Sequence, residues 1–475
     1  MKVLLINPRA DHEMKGPHPL KVEDMGIFPH LGLMYIASIL REKNEFDVKL
    51  VDMTLEGLSI PYLVRILADW KPSVVGITSY TDCLYDLKLT IEALRKESES
   101  VIICAGGPHV EIYPKDILRI LPIDCIIRGD GEYSFRELCR QVKNKKSWKN
   151  IKGIGYNDRG KVYLNDPWQI EPIDVLPFPA RELSSMDRVK STVAKGKAIT
   201  SICSSRGCPL PCTFCNSPYK KYRLRSAENV VTEIADCYEK LGIREFFFFD
   251  DLFNISKKRM IEICDAIKKL PFKIKWSFRG RINNLDEPII RRCQDAGCNR
   301  IHFGVEAGTE RILNIYKKGL KLDRIRNIFK ICHKIEMETV GNFMIGGPSE
   351  TREEINQTLR FAFELSPTFV EFHVLVPYPY TQIYQKMLAS GQLETDVWEN
   401  YSKNPKSDFN PPLCNTEISS KELYEILNDA YRKFYFRPSY IWKQMKRIES
   451  LNDLGKKILG AFRLILVTRA VDKIP

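Results

Sequence analysis

Ser201-Ile-Cys-Ser-Ser-Arg-Gly-Cys-Pro-Leu-Pro-Cys-Thr-Phe-Cys-Asn-Ser-Pro218 carries Cys208, Cys212 and Cys215 in a C-x3-C-x2-C pattern. Its Gly and Pro keep it out of helix, and it follows an apolar run with strand character, so the sulfurs are free to turn inward. Soft thiolates select zinc or an iron–sulfur cluster, and a cubane cluster normally takes four of them. Three cysteines would leave one iron open to bind and activate a small molecule. Cys203 extends the pattern to C-x4-C-x3-C-x2-C. It reads either as a fourth ligand, which would make the loop a non-catalytic zinc or cluster-binding scaffold, or as a buried apolar thiol.

Arg206-Gly-Cys-Pro-Leu-Pro-Cys-Thr-Phe-Cys215, with an aromatic just ahead of the third cysteine, closely resembles the cluster loop of radical SAM enzymes. The resemblance implies that Cys208, Cys212 and Cys215 are the metal ligands of a [4Fe-4S] cluster and the centre of catalysis. It also implies that S-adenosyl-L-methionine is chelated at the open iron and reductively cleaved to methionine and a 5′-deoxyadenosyl radical.

A chain of 475 residues, 44% hydrophobic and 28% charged, has room for two or three packed domains and the composition of a soluble globular protein. Neither a signal peptide nor a bilayer-spanning apolar run is legible. Fourteen cysteines without a small-domain framework suit a reducing cytoplasm better than disulfides. The net charge of +13 is unevenly placed: Arg432 to Pro475 holds eleven Lys or Arg against Glu449, Asp453 and Asp472.

Residues 1–143 alternate apolar runs, such as Val3–Asn7, Val48–Asp52, Val74–Thr78, Val101–Ala105 and Cys125–Arg128, with amphipathic segments. That alternation predicts an α/β, doubly wound parallel sheet binding its ligand at the carboxyl ends of the strands. The loops expected there contain Leu31 and Gly32, Thr78 and Ser79, Gly106, Gly107, Pro108 and His109, and Gly129, Gly131 and Glu132. As a set they resemble the cobalamin-binding domain that precedes many radical SAM domains, which implies cobalamin contacts for these residues. The Asp-x-His-x-x-Gly cobalt-ligating motif is absent, as is typical of that subgroup, and His109 reads as a loop hydrogen-bonder rather than an axial ligand.

Residues 144–195 read as a hairpin around Asn157-Asp-Arg-Gly160 and a Pro-stiffened linker. Residues 196–392 hold six strand–helix repeats, with strands beginning near Ile199, Arg244, Lys273, Arg300, Thr339 and Val370, which predicts a six-unit partial TIM barrel with its chemistry at the carboxyl ends. Ser256 reads as an N-cap and Gly297 as a helix stop. The later strand ends, Phe246-Phe-Phe-Phe-Asp-Asp251, Trp276-Ser-Phe-Arg-Gly-Arg281, Phe303-Gly-Val-Glu-Ala-Gly308 and Phe343-Met-Ile-Gly-Gly-Pro348, resemble radical SAM motifs. This implies that Asp250 or Asp251 receives the SAM amino group and Arg281 its carboxylate. Phe214 is placed beside SAM, Glu306 at the ribose, and Ile345, Gly346, Gly347 and Pro348 along the adenine. The segment Pro377-Tyr-Pro-Tyr-Thr381 resembles the Pro-Tyr-Pro-Gly-Thr closure of these barrels, with Tyr380 in place of Gly.

Residues 393–475 read as mostly helical. Tyr431-Arg-Lys-Phe-Tyr-Phe-Arg-Pro438 interleaves aromatics with cations, and Lys456 to Val471 has a basic amphipathic character suited to packing on the barrel, or to an anionic membrane face or lipid-like substrate. No nucleic-acid module is recognisable. The chain is therefore identified as resembling cobalamin-dependent radical SAM enzymes. The resemblance implies methylation of an unactivated carbon on a small-molecule or lipid-like substrate, with an electron donor such as ferredoxin or flavodoxin. A radical SAM cyclase, oxidase or coupling enzyme is the alternative. His109-Val-Glu111 with Pro211–Cys215 superficially matches a zinc deaminase signature, but that pattern leaves Cys208 without a role.

Overall fold

The computed structural model describes residues 1–12, 26–191, 193–196, 198–415 and 417–448, together with 454, 455, 457 and 460. They form two compact units. One gathers Phe28–Val189 with the N-terminal strand and Leu393–Pro411; the other holds Lys190–Gln392 and the chain from Pro412 onward.

In the first unit, strands β1 (Lys2–Asn7), β2 (Asp47–Asp52), β3 (Val74–Thr78), β4 (Ile102–Gly106) and β5 (Cys125–Ile127) pair in parallel in the order β2-β1-β3-β4-β5. Their near-continuous apolar runs, with Val3 to Ile6 and Val74 to Ile77 buried, are what a sheet covered on both faces requires. Helices Leu31–Arg41, Ile60–Trp70, Leu84–Glu97, Pro108–Ile112 and Pro114–Ile120 lie in the crossovers, and Gly131–Lys143 follows the last parallel strand. The expected hairpin exists as β6 (Ile154–Asp158) and β7 (Lys161–Leu164), turning through Arg159 and Gly160, both at positive φ. It extends this sheet, β6 pairing antiparallel with β5.

The second unit contains β8 (Ile199–Ile202), β9 (Glu245–Phe248), β10 (Lys275–Gly280), β11 (Cys298–Glu306), β12 (Glu338–Ile345) and β13 (Phe369–Val374), all parallel and in sequential order. Right-handed crossovers in sequential order put every helix on one face and leave the other as an inner wall. Alternation assigns the side chains. Phe248, Trp276 and Phe278 cluster with Phe253 on the helix side, and the Trp276 indole donates to the Ala296 carbonyl at 2.8 Å. Phe247, Arg279 and His302 face inward.

Ser256 accepts from the Arg259 amide as the cap of helix Lys257–Lys268, and Gly297, at φ +93°, follows the end of helix Glu287–Asp295. Tyr380 sits at φ +62°, a left-handed backbone conformation that suits the Gly of the Pro-Tyr-Pro-Gly-Thr segment this stretch resembles. Thr381 caps the next helix.

Strand β13 is an edge whose backbone is sealed by side chains of helix Ser420–Tyr435. The Tyr431 hydroxyl accepts from the Phe372 amide at 2.9 Å and donates to the Phe372 carbonyl at 3.1 Å. Tyr435 treats Val370 the same way, at 3.0 and 2.8 Å. The spacing is geometric: four helical residues rise about 6 Å and two strand residues about 6.6 Å. The aromatics of Tyr431–Pro438 are thus turned onto the barrel. Of Lys456 to Val471 only Lys457 and Gly460 are described, so the expected basic helix there lies outside the described residues. No described helix is long and apolar enough to cross a membrane.

Candidate active site

The cysteine loop leaves the carboxyl end of β8 and is held by backbone geometry. Gly207 lies at φ +84°, and an added Cβ would stand 2.3 Å from the Lys221 carbonyl oxygen, so no other residue fits. The Cys208 amide donates to the Tyr219 carbonyl at 3.0 Å. Buried Thr213 donates its amide to the Tyr316 carbonyl at 3.1 Å and its hydroxyl to the Ile315 carbonyl at 2.9 Å. Cys208 and Cys212 are half-buried and Cys215 exposed.

Among the described residues no three His, Cys, Asp or Glu side chains are already closed around a metal-sized gap. The three thiols nevertheless lie within electrostatic reach of one another, and burial pushes Cys208 and Cys215 up, the direction a bound cation reverses. Cys203 is differently placed: its thiol donates to the Ser205 carbonyl at 3.0 Å, and burial holds it protonated with a pKa pushed up to about 12. The donor set therefore fits a three-thiolate centre.

The two carboxylates after β9 have separate surroundings. Asp250 is 1% exposed and accepts from the Ser204 amide at 3.1 Å, from the Ser204 hydroxyl at 2.9 Å and from the Ser205 hydroxyl. It braces the base of the cysteine loop. Asp251 is exposed, and its charge is felt by Cys208 and Cys215. Neither caps the following helix, which Ser256 does. Arg281 donates its amide to Asn254 Oδ1 at 2.7 Å and its Nη2 to the Lys318 carbonyl, while its Nη1 is buried without a partner. That orphan donor fits an anionic ligand group.

Phe214, Glu306 and Gly347 are brought together by two residues the sequence reading passed over, Tyr316 and Lys318. Glu306 sits at φ +72° on a bulge of β11, and its carboxylate accepts from Lys318 Nζ at 2.6 Å. Lys318 Nζ lies 5.7 Å from the centre of the Phe214 ring, which meets Tyr316 edge to face at 5.4 Å. An added Cβ on Gly347 would stand 2.4 Å from the Tyr316 hydroxyl, a buried group with no hydrogen-bond partner. The only local signal for these residues is the Tyr316-Lys-Lys-Gly319 stop after helix Glu310–Ile315. Ile345 is fully buried, Gly346 lies at φ +79° and Pro348 is half-buried.

Glu350 controls this glycine loop. Fully buried, it accepts from the Gly347 amide at 2.8 Å through Oε2, its Oε1 has no partner, and its carbonyl accepts from Asn415 at 2.6 Å. Burial raises its pKa from the ordinary carboxylate range to about 7, against the lowering effect of the Gly347 and Gly346 amides; Glu354 raises it and Arg311 lowers it. With the folded-state value raised, the stabilisation is complete below the ordinary carboxylate range and is lost as pH climbs through about 7. Thermal melts are expected to show stability falling by about 3 kcal/mol between pH 4.5 and 8 from this group, and Glu350→Gln to flatten that slope.

In the first unit the loops at the carboxyl end of the sheet are stitched together. The Ser79 amide and hydroxyl donate to the Gly106 carbonyl at 2.7 and 2.8 Å, and the His109 amide donates to the Ser79 carbonyl at 3.2 Å. Gly107, at φ +101°, has no room for a Cβ, which would stand 2.8 Å from the Ser79 carbonyl oxygen. The Asp130 amide, between Gly129 and Gly131, donates to the Trp168 carbonyl at 2.6 Å. A Cβ on Gly106 would meet nothing nearer than the Ile127 carbonyl oxygen at 3.8 Å, leaving a bare backbone shelf that fits a broad, flat ligand.

Leu31 and Gly32 open their helix behind His30, whose Nδ1 accepts from the Leu33 amide at 3.1 Å and whose Nε2 lies 2.9 Å from the Tyr80 hydroxyl. Glu132 is 3% exposed at the start of helix Gly131–Lys143. His109 is turned inward: its ring nitrogens pair with Thr81 and Ser402 hydroxyls at 3.1 and 3.3 Å, and burial pulls its pKa down to about 3. His109 and the cysteine loop lie in separate units.

Two family descriptions match the chain, the radical SAM superfamily over residues 202–362 and the B12 binding domain over residues 18–139. An uncharacterized methyltransferase of Pyrococcus horikoshii is 33% identical over 94% of this chain and 95% of its own. An anaerobic magnesium-protoporphyrin IX monomethyl ester cyclase of Cereibacter sphaeroides is 22% identical over 93% of this chain and 72% of its own. Among solved structures, the cobalamin-dependent S-adenosylmethionine radical enzyme OxsB, with aqua-cobalamin and S-adenosylmethionine bound, shares the fold at a TM-score of 0.72 and 18% identity, over 99% of this chain and 72% of its own. With a relative this similar along nearly its full length, and with both domains matched in order, the chain belongs to the cobalamin-binding group of the radical SAM superfamily.

Proposed function

We propose that this protein is a radical SAM enzyme that methylates an unactivated carbon of a small molecule with the help of cobalamin. The observation that supports it most is the pinned three-cysteine loop at the end of the first strand of a sequential parallel sheet, in a chain that also carries a glycine-lined shelf at the end of a second sheet. When bound, the cluster and cobalamin supply the one-electron reduction and the methyl group. The chain's own residues hold and orient. In this reading Cys208, Cys212 and Cys215 ligate the cluster, and Asp251 takes the SAM ammonium while Asp250 braces the loop. Arg281 takes the SAM carboxylate through its free Nη1, and Glu306, held by Lys318 Nζ at 2.6 Å, meets the ribose. The adenine lies along Ile345–Pro348 and Phe214. Leu31, Gly32, Thr78, Ser79, Gly106–His109, Gly129, Gly131 and Glu132 form the cobalamin shelf, with His109 as an internal brace.

The fourteen free cysteines support a reducing, cytoplasmic setting with a ferredoxin- or flavodoxin-like electron donor. Exposed Ile441, Trp442 and Met445 beside Lys443 and Lys446 on helix Pro438–Lys446 support peripheral contact with an anionic membrane and a lipid-like substrate. Co-sedimentation with anionic but not neutral vesicles is the expected sign of that contact, and its absence from both excludes it.

The test of function is anaerobic reconstitution with iron, sulfide, hydroxocobalamin and SAM, followed by dithionite. About four iron per chain, retained cobalt and 5′-deoxyadenosine are expected. Iron and cleavage without cobalt would keep the radical enzyme but remove methyl transfer from cobalamin; zinc without cleavage overturns the reading.

A further inference from the structure

The inner wall of the six-stranded sheet carries a cation that nothing above employs. Arg279 lies on β10 opposite the helix-facing Trp276 and Phe278 and beside His302 of β11 in the strand register. Its guanidinium lies 4.3 Å from the centre of the Phe249 ring and 5.5 Å from that of Phe247. Phe247 in turn contacts the His302 ring at 4.9 Å. Arginine makes five donors available to an acceptor that reaches it.

Arg279 is solvent-exposed and has no hydrogen-bonded acceptor and no ion pair among the described residues, so its donors are open to a ligand, while the protein around it lowers its pKa by desolvation. The nearest carboxylates, Glu371 and Asp251, act on it only at a distance, and Glu371 stands 3.9 Å from His373 instead. Burial lowers the pKa of His302, with the Arg300 and Arg279 charges acting the same way, so it brings no competing charge. Two residues further on, Arg281 is tied to Asn254 and Lys318. The two arginines therefore belong to different partners.

We propose that Arg279, laid across Phe249 and Phe247, is the anchor for an anionic oxygen group of the substrate, a carboxylate or a phosphate, on the inner wall of the barrel. The proposal rests on the radical SAM reading for the identity of that cavity as the substrate's. Phe249, 43% exposed, offers an apolar face beside the anion, so the recognised portion joins an acidic group to a flat or apolar body. A guanidinium preorganised by stacking binds either oxyanion as a fork, which gives direction as well as charge.

The test uses the reconstituted chain with SAM present and phenyl phosphate, benzoate and neutral benzyl alcohol as probes in isothermal titration. One or both anions are expected to bind in the millimolar range and benzyl alcohol not to bind; the stronger anion distinguishes phosphate from carboxylate. Arg279→Gln is expected to weaken anion binding about tenfold or more, and Arg279→Lys to retain part of it, with iron content and SAM affinity unchanged in both. Failure of both anions to bind overturns the proposal, as does equal binding by Arg279→Gln. A matching loss of SAM affinity would assign the guanidinium to SAM. These readouts need no turnover, so a protein that binds the anions but fails to cleave SAM would sink the enzymatic reading and leave the anion site standing.

Discussion

Single replacement of Cys208, Cys212 or Cys215 by Ala is expected to drop reconstituted iron from about four per chain to a small residue and to abolish 5′-deoxyadenosine formation. A cluster already short of one protein ligand has no substitute to recruit, because Cys203 is spent on the Ser205 carbonyl and no other described thiol lies on the loop. Cys203→Ala is expected to keep its iron. Iron analysis and anaerobic optical spectra of the four variants decide the matter, and loss of iron from Cys203→Ala would instead mean a four-thiolate, closed centre.

Asp250→Ala is expected to cost about 3–5 kcal/mol and to cripple cluster assembly with it. The substitution strands the Ser204 amide and the Ser204 and Ser205 hydroxyls in the interior, and it removes the charge opposing Arg259, itself 6% exposed. Asp250→Asn, which keeps an acceptor, is expected to lose roughly half as much. Asp251→Asn should leave the melting temperature in place and weaken SAM binding. If Asp250→Ala melts like the parent while Asp251→Asn unfolds, the two roles are reversed.

Much of the architecture was legible because buried parallel strands write themselves as apolar runs. The expected starts at Ile199, Arg244, Lys273, Arg300, Thr339 and Val370 lie within two residues of the observed Ile199, Glu245, Lys275, Cys298, Glu338 and Phe369. What stayed hidden depends on contacts distant in sequence. Asp250 and Asp251 are adjacent and chemically identical; only the direction in which each leaves the strand end separates a brace from a solvent-facing carboxylate. Tyr316 and Lys318 assemble the neighbourhood of Phe214 and Glu306 from a loop without a motif. The hairpin Ile154–Leu164 read as a connection because nothing local tells a strand pair that it will extend a sheet. Within the aromatic and cationic run Tyr431–Pro438 nothing local tells which rings turn onto the barrel; Tyr431 and Phe434 are the buried ones.

The tyrosine rungs on β13 bear on how the protein is made. A ribosome delivers Val374 well before Tyr431 emerges, so for that interval the last strand of the barrel offers unpaired amides and carbonyls to any neighbouring nascent chain. The barrel is complete in its strands but not yet safe, and the helix synthesised afterwards acts as the catch that releases it from that exposure. Overproduction that outpaces chaperone supply should therefore fail first at this edge, with aggregates that protect Phe369–Val374 from proteolysis.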